Sequence, residues 1–246
     1  MRKYLLPVIL GLLSMSLLVL QAGAAENVRL AHDDPFPPFT VHKDGRSEGI
    51  VIDILQEALK RVTIEPVFIP AHMDKIQDLV KAGEVDGLAF LGINPERRKL
   101  YDFSEPLLIT GGALFVKAPY PSPSGLKEFE GRTVVTPLKG PLADYIKHEF
   151  PKVHVTTVED YPAALRTVLD GRADAAALNP QVGIHLVNQS FQGKFTFPKT
   201  IFLEVPLAVA VSKGTHAVFL QKVNEGLASI KKDGTYARVL EKWGNL

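Results

Sequence analysis

The chain has 246 residues, 46% of them hydrophobic, with 28 basic and 27 acidic side chains and no cysteine. That is enough apolar material for one large folded domain or two small ones. A formal charge of +1 excludes a global attraction to nucleic acid or anionic lipid, and the absent thiols exclude disulfides, thiolate metal sites and cysteine nucleophiles.

The first segment reads as a leader. Met1-Arg2-Lys3 is basic, Tyr4 to Leu20 is almost wholly apolar, and Ala22-Gly23-Ala24 has the small-x-small pattern of a cleavage site. A signal peptide over residues 1–24 is expected, with the mature chain starting near Ala25 or Glu26 and the periplasm as its address. The alternative, an uncleaved membrane anchor, is disfavoured by the short run and by Pro7 within it. Removing Arg2 and Lys3 takes the formal charge from +1 to −1.

The rest alternates short β-rich runs with amphipathic helical ones. "NVRLA" predicts a strand, and "IVIDILQEALKRV" a helix with Ile50, Ile54, Leu55, Ala58, Leu59 and Val62 on one stripe. "EPVFI" predicts a strand, "DKIQDLVKAG" a helix ended by Gly83, and "DGLAFL" a strand. "LLITGGALFV" is β-like with a glycine pair at its middle. "RTVVTPL", "VHVTTV" and "ADAAAL" predict further strands, interleaved with the helical runs "LADYIKHEF" and "YPAALRTVLD". The tail, "AVFLQKVNEGLASIKKDG" and "TYARVLEKW", predicts helix throughout. Such alternation argues for an α/β fold with largely parallel sheets.

A weak internal repeat points to two lobes. "LVKAGEVDGLAF" and "VLDGRADAAAL" share helix, Gly, two residues, Asp, apolar strand, 88 residues apart. Gly83 and Gly171 are candidate helix-ending glycines, and Asp86 and Asp174 open the strands that follow. The Pro-, Ser- and Gly-rich stretch "KAPYPSPSGLKEFEG" marks a loop where the second lobe begins. Two lobes imply a cleft, where small ligands bind.

One stretch poses a chemical question. "GINPERRKLYDFSEP" sets Arg97 and Arg98 in the first turn of a helix, where the macrodipole disfavours cations. Asn94 can cap that helix and Pro95 suits its first position. Arg97 then lies close to free backbone N–H groups, and its fork can take a carboxylate in two parallel hydrogen bonds. A surface ion pair is the alternative for Arg97, and Arg98 reads as a solvated face residue.

Four segments resemble the family 3 bacterial extracellular solute-binding proteins: "DDPFPPFTVHKDGRSEGIVIDILQEA", "GEVDGLAFLGINPERRKLYDFSEPLL", "GRADAAALNP" and "KKDGTYARVLEKWG". The resemblance runs from about residue 27 to the end. It implies the type II periplasmic-binding-protein-like fold, two α/β lobes joined by a two-strand hinge. Lobe one would be residues 26–108 and 207–246, and lobe two 113–198. The crossings would fall at 109–112 and 199–206, with Gly111 and Gly112 suited to hinge motion. It implies a monomeric receptor without cofactor or metal, passing a carboxylate-bearing amino acid or related solute to the membrane permease of an ABC importer.

By resemblance Arg97 grips the ligand carboxylate. Asp33 and Phe36 come from the first signature, Asp33 for an ammonium and Phe36 for the ligand body; a turn cap and core packing are their alternatives, and Phe39 reads as core. Met73 stands where a cleft aromatic is common. Phe90, Leu91 and Gly92 follow from lobe one, and Lys139, Gly140, Pro141, Leu142 and Asn179 from lobe two. Three departures matter. Asn179 replaces the usual acid, Phe90-Leu91-Gly92 replaces a serine-rich turn and is shortened as in the sensor-domain branch, and Leu142 replaces a common threonine. The pocket so inferred has one firm cation, Arg97, with Lys139 a second candidate, and is otherwise apolar. It suits a hydrophobic amino acid or a simple organic acid.

Two rivals remain. Some proteins of this architecture are dehydratases of cyclic carboxylates, but only His32, His72 and Glu204 offer an acid or base near the cleft, and they form no recognisable pair. A free receptor can also act in trans on a membrane sensor protein. The seven histidines show no metal spacing.

Overall fold

The computed structural model describes residues 26–138 and 141–243. The expected leader, residues 1–24, lies outside them, as do Lys139 and Gly140.

The chain opens with β1 (Glu26–Asp33), a hairpin of β2 (Val41–Lys43) and β3 (Arg46–Glu48), α1 (Ile50–Lys60), β4 (Ile64–Ala71), α2 (Met73–Lys81) and β5 (Gly87–Gly92). Next come α3 (Pro95–Leu100), β6 (Tyr101–Phe103) and the long β7 (Leu108–Lys117). A 3₁₀ turn at Leu126–Phe129 precedes β8 (Thr133–Pro137), α4 (Leu142–Glu149), β9 (His154–Val158), α5 (Tyr161–Leu169), β10 (Ala175–Leu178), α6 (Pro180–Ser190) and β11 (Phe195–Thr196). β12 (Phe202–Ser212), α7 (Ala217–Lys232) and α8 (Thr235–Lys242) complete the described chain.

The main sheet runs β4-β1-β5-β12-β7-β10-β8-β9. Its ends are two parallel sets, β4-β1-β5 and β10-β8-β9. Between them lie two antiparallel strands, β12 and β7. β7 pairs with β12 through Leu108, Ile109, Thr110 and Gly112, then with β10 through Ala113, Leu114 and Phe115. One unbroken strand thus passes from the first set to the second, and β12 returns beside it. This is a two-lobed α/β fold with a two-strand crossing.

The inner strand of each parallel set, β5 and β10, is buried throughout, as parallel strands covered on both faces are, while the outer strands β4 and β9 are partly exposed. Leu30 joins the cluster under α1 and α7, while its neighbour Ala31 joins the cluster under α2. Ala176 and Leu178 pack with Leu165 and Val168 of α5, while Ala175 and Ala177 pack with Ile146 of α4. The α1 stripe is buried from Ile50 to Leu59, Val51 and Ile52 widen it, and Val62 falls in the turn after the helix and is half-buried.

The repeat has a physical basis. Gly83 and Gly171 both adopt positive φ, +71° and +73°, the left-handed conformation that ends a helix at little cost in glycine. Three residues on, each Asp meets the neighbouring strand. The Arg29 N–H donates to Asp86 Oδ2 at 2.7 Å, and the Thr133 N–H donates to Asp174 Oδ2 at 2.9 Å. Each Asp N–H returns the bond, to Arg29 O and Thr133 O. The two lobes start their parallel sets with the same clamp.

Several elements escape the sequence patterns: α6, the short β2, β3, β6 and β11, and above all β12. β12 is apolar without alternation and contains Pro206, which removes a ladder donor. It is also irregular between Phe202 and Val205, where Leu203 takes a left-handed φ of 49°. Opposite this bulge a Cβ at Gly112 would come within 2.5 Å of the Phe202 ring and 2.8 Å of Leu142 Cδ2. A Cβ at Gly111 would meet backbone, 2.6 Å from Leu203 O and 2.9 Å from Phe202 O, so close approach requires glycine there, whereas Gly112 is crowded by side-chain ends.

Candidate ligand-binding site

In open α/β sheets ligands bind beyond the carboxyl ends of the strands. In the first lobe those ends are Ala71, Asp33 and Gly92; in the second they lead into residues 138–141, Asp160 and Asn179. β5 and β10 are separated by β12 and β7, three inter-strand steps or roughly 14 Å. That interval suits a small molecule.

Arg97 is the charged feature of the first lobe. Its N–H donates to Asn94 Oδ1 at 2.8 Å, so Asn94 caps α3 and Pro95 fills its first turn. The Arg98 N–H is taken by Asn94 O. The N–H groups of Arg97 and Arg98 are thus engaged and are not among the free ones expected beside Arg97; α3 is only six residues long. What remains is the guanidinium. Nη1 donates to Gly92 O at 2.8 Å, and among the described residues no carboxylate lies within ion-pair distance. Arg29, Arg61 and Arg172 each have an aspartate partner. Arg97 is half-buried and has none, and burial pulls its pKa below the ordinary value. A half-buried, unpaired cation costs stability unless an anion reaches it. Arg98 is exposed and sits over the Phe103 ring at 5.9 Å.

Gly92 fits the fork closely. A Cβ there would lie 3.1 Å from Arg97 Nη1 and 3.0 Å from Val205 Cγ1. Val205 pairs across β12–β7 with Thr110, and Asn179 Nδ2 donates to Thr110 Oγ1 at 2.6 Å. Contacts therefore run without a gap from Arg97 through Gly92, Val205 and Thr110 to Asn179 in the second lobe.

Beside Gly92 stands an aromatic cluster. Phe36 stacks on Phe39 at 5.1 Å and on Phe90 at 6.4 Å. Phe39 is fully buried, as expected of core, whereas Phe36 is half-buried. Met73, at the start of α2, is 38% exposed. Leu91 departs from the expected set. Leu91 is buried with Ile76, Val80 and Leu88, while Ala89 and Phe90 join the cluster under α1; β5 does not alternate strictly here, where its pairing with β12 shifts register between Ala208 and Ala210.

Asp33 ends β1 and is buried. Burial pushes its carboxyl up; the nearby His72 and the N–H groups of Met73 and Asp34 act against this. In the second lobe, Asn179 Oδ1 accepts from Val182 N at 3.2 Å and caps α6. Thr110 Oγ1 donates on to Gln181 Oε1 at 2.6 Å. Both ends of the Asn179 amide are engaged internally. Leu142 is buried against the crossing beside Gly112.

Sequence reasoning missed Thr110, Gln181, Val205 and Tyr161. Tyr161 follows β9, packs against hydrophobic clusters of both lobes, and has its phenol pushed up to about 12 by burial. Its position directly after the capping Asp160 was the available signal.

The three acid–base candidates do not converge. His32 is buried, with Nδ1 3.0 Å from Asp33 O and Nε2 2.7 Å from Ser47 Oγ; since a carbonyl only accepts, Nδ1 carries the proton and Nε2 accepts from Ser47. Burial pulls its pKa down. His72 pairs with Asp74, and Glu204 is exposed. Two surface cavities, about 620 and 440 Å³, lie against α1 and α8, away from the crossing. Between them Asp53 is already held by Lys242 Nζ and Trp243 Nε1. Among the described residues no group of His, Asp and Glu is placed to hold a metal ion, and no helix is long and apolar enough to cross a membrane.

Comparison with known proteins agrees with this geometry. The family model of the bacterial extracellular solute-binding proteins, family 3, matches residues 28–246. The L-cystine-binding protein TcyJ of Escherichia coli strain K12 is 26% identical over 211 residues, covering 85% of this chain and 79% of that protein. The virulence sensor protein BvgS of Bordetella bronchiseptica is 25% identical over 221 residues; the match covers 88% of this chain but only 18% of the sensor. The crystal structure of the Bordetella pertussis BvgS periplasmic VFT2 domain superposes with a TM-score of 0.73 at 24% identity, covering 88% of this chain and 93% of that domain.

Proposed function

Because the chain belongs to the bacterial extracellular solute-binding proteins, family 3, we propose that it captures a small carboxylate-bearing solute, an amino acid or related organic acid, in the periplasm and delivers it to an ABC importer. The observation that carries this reading is Arg97: a half-buried guanidinium at a strand end, held by Gly92 O, with no acid beside it among the described residues.

The proposed site comprises Arg97, Gly92, Phe90, Phe36, Met73 and Asp33 from lobe one and Asn179 from lobe two, with Lys139 and Gly140, which lie outside the described residues, as further candidates. Lobe one is residues 26–108 and 207–246, lobe two 113–198, with crossings at 109–112 and 199–206 and a leader at 1–24. Arg97 takes the carboxylate in two parallel bonds, a geometry that lysine cannot reproduce. The aromatic cluster covers the ligand body. A solute touching both lobes stabilises the form in which both sets of contacts are made, and a membrane partner reads that form. The task is binding alone: no bond is made or broken, and the relatives named above are binding and sensor proteins.

A second reading has its own support. Similarity to BvgS, in sequence and in fold, favours a ligand sensor acting in trans on a membrane signalling protein. The two readings share the site and differ in the partner. A thermal-shift screen of amino and organic acids on the protein tests the site. Ligands are expected to raise Tm with the logarithm of their concentration above Kd and to do nothing for Arg97→Ala; an equal shift in that variant overturns the assignment.

A further inference from the structure

We propose that the protein has a second small-molecule site, away from Arg97, in the cavity of about 620 Å³ between the β2–β3 hairpin and the end of α8, and that it takes a short zwitterionic peptide with an aromatic side chain. The inference comes from which charges lining that cavity are already spent and which are not.

The cavity is held open by fixed walls. Its volume falls within the roughly 300–1,000 Å³ of small-molecule sites. The hairpin stands outside the main sheet but is pinned to it. Ser47 Oγ donates to the buried His32 Nε2 at 2.7 Å, and the His42 N–H donates to Asp34 Oδ1 at 2.6 Å. On the opposite wall the Trp243 indole is fixed by Nε1, which donates to Asp53 Oδ2 of α1 at 2.8 Å. Walls set in advance lower the ordering cost of binding.

The lining supplies apolar surface and two opposite charges. Phe68 and Trp243 are both half-buried. Lys242 Nζ and Asp53 Oδ2 neutralise each other at 2.6 Å, and that ammonium lies 5.5 Å from the centre of the indole ring. Arg46 and Glu48 are different. Both are exposed, and neither has an ion-pair partner among the described residues. They stand two residues apart on β3, so they leave the strand on one side, roughly 7 Å from each other. A purely anionic ligand on Arg46 would meet the like charge of Glu48, and a cation the reverse. A zwitterion satisfies both, its carboxylate in the Arg46 fork and its ammonium on Glu48. The spacing selects a peptide over a single amino acid, because an extended dipeptide spans roughly 7 Å.

Trp243 is the single tryptophan of the chain, so indole fluorescence reads this cavity directly. The titrant is glycyl-L-phenylalanine. Its N-acetyl form lacks the ammonium, its C-terminal amide lacks the carboxylate, and L-phenylalanine holds the two charges one residue closer. The dipeptide is expected to change the Trp243 emission saturably, and equally in the unaltered protein and in Arg97→Ala. Each of the three other probes should bind about tenfold more weakly. Arg46→Ala should weaken the dipeptide by the same factor and leave the amide unaffected; Glu48→Gln should do so with the N-acetyl form unaffected. Both side chains are exposed, so the fold is kept, and an unchanged Tm verifies it. No saturable change up to about 10 mM, a change that disappears in Arg97→Ala, or an unchanged Kd in both Arg46→Ala and Glu48→Gln overturns the second site. L-phenylalanine binding as tightly as the dipeptide overturns the choice of a peptide. A failure of the Arg97 assignment is read separately, from the thermal-shift screen, and leaves this titration as it stands.

Discussion

The two lobes use one scaffold to different ends. Each starts its parallel set with a helix-ending glycine and an aspartate clamped to the neighbouring strand, at matching register and with bonds of 2.7 and 2.9 Å. Each sends asparagine followed by proline from a strand end into a helix, Asn94-Pro95 in one and Asn179-Pro180 in the other. Beyond these shared parts they diverge. After its cap the first lobe places a guanidinium without an acidic partner among the described residues, beside stacked aromatics. The second spends its polar atoms on the crossing strands, through Asn179, Thr110 and Gln181. Recurrent backbone devices build the frame, and the few side chains left uncommitted make the site.

The comparison can be broken at its joints. The largest effect is expected at the crossing. Gly112→Ala drives a Cβ into the Phe202 ring and Leu142, and should cost about 1–3 kcal/mol of stability in denaturant titration. A neutral result would show that Phe202 and Leu142 move aside freely. The clamps should rank next, and unequally. Asp86 also accepts from the Arg29 guanidinium, whereas Asp174 serves Thr133 N–H alone. Asp86→Ala is expected to lower Tm by about 4 °C more than Asp174→Ala; equal shifts would mean that the shared backbone bond is the whole effect. Gly92→Ala presses on Arg97 Nη1 and Val205, and should weaken carboxylate binding about tenfold with the fold kept, measured by calorimetry and circular dichroism. The smallest effect concerns pH. Burial holds His32 below its ordinary value of 6.5, so the unfolded chain takes up its proton first. Stability should therefore fall as pH drops below about 6.5, and His32→Gln should flatten that slope in thermal melts at stepped pH.

Much of the frame was legible because it repeats or alternates. The α1 stripe, the Gly-x-x-Asp pairs and the capped start of α3 follow from spacing and cap chemistry. β12 was hidden because its apolar run from Val205 to Val211 carries no period and Pro206 argues against a central strand. The β5 run is apolar throughout and carries no period, so nothing in it separates Phe90 from Leu91, which join different hydrophobic clusters. The Asn-Pro pair that identified Asn94 as a cap stood again at Asn179, where the resemblance to acid-bearing receptors drew attention to the ligand instead. The carbonyl under Arg97 and the Thr110 link had no signature, since both depend on strands brought together from distant sequence.

Co-crystallisation with the tightest-binding carboxylate of the thermal-shift screen bears most directly on Arg97. Both carboxylate oxygens should lie within hydrogen-bond distance of the Arg97 fork, with the ligand body against Phe36 and Phe90. A ligand seated elsewhere, for example in the 620 Å³ cavity beside Ser47 and Trp243, with Arg97 facing bulk water, would contradict it.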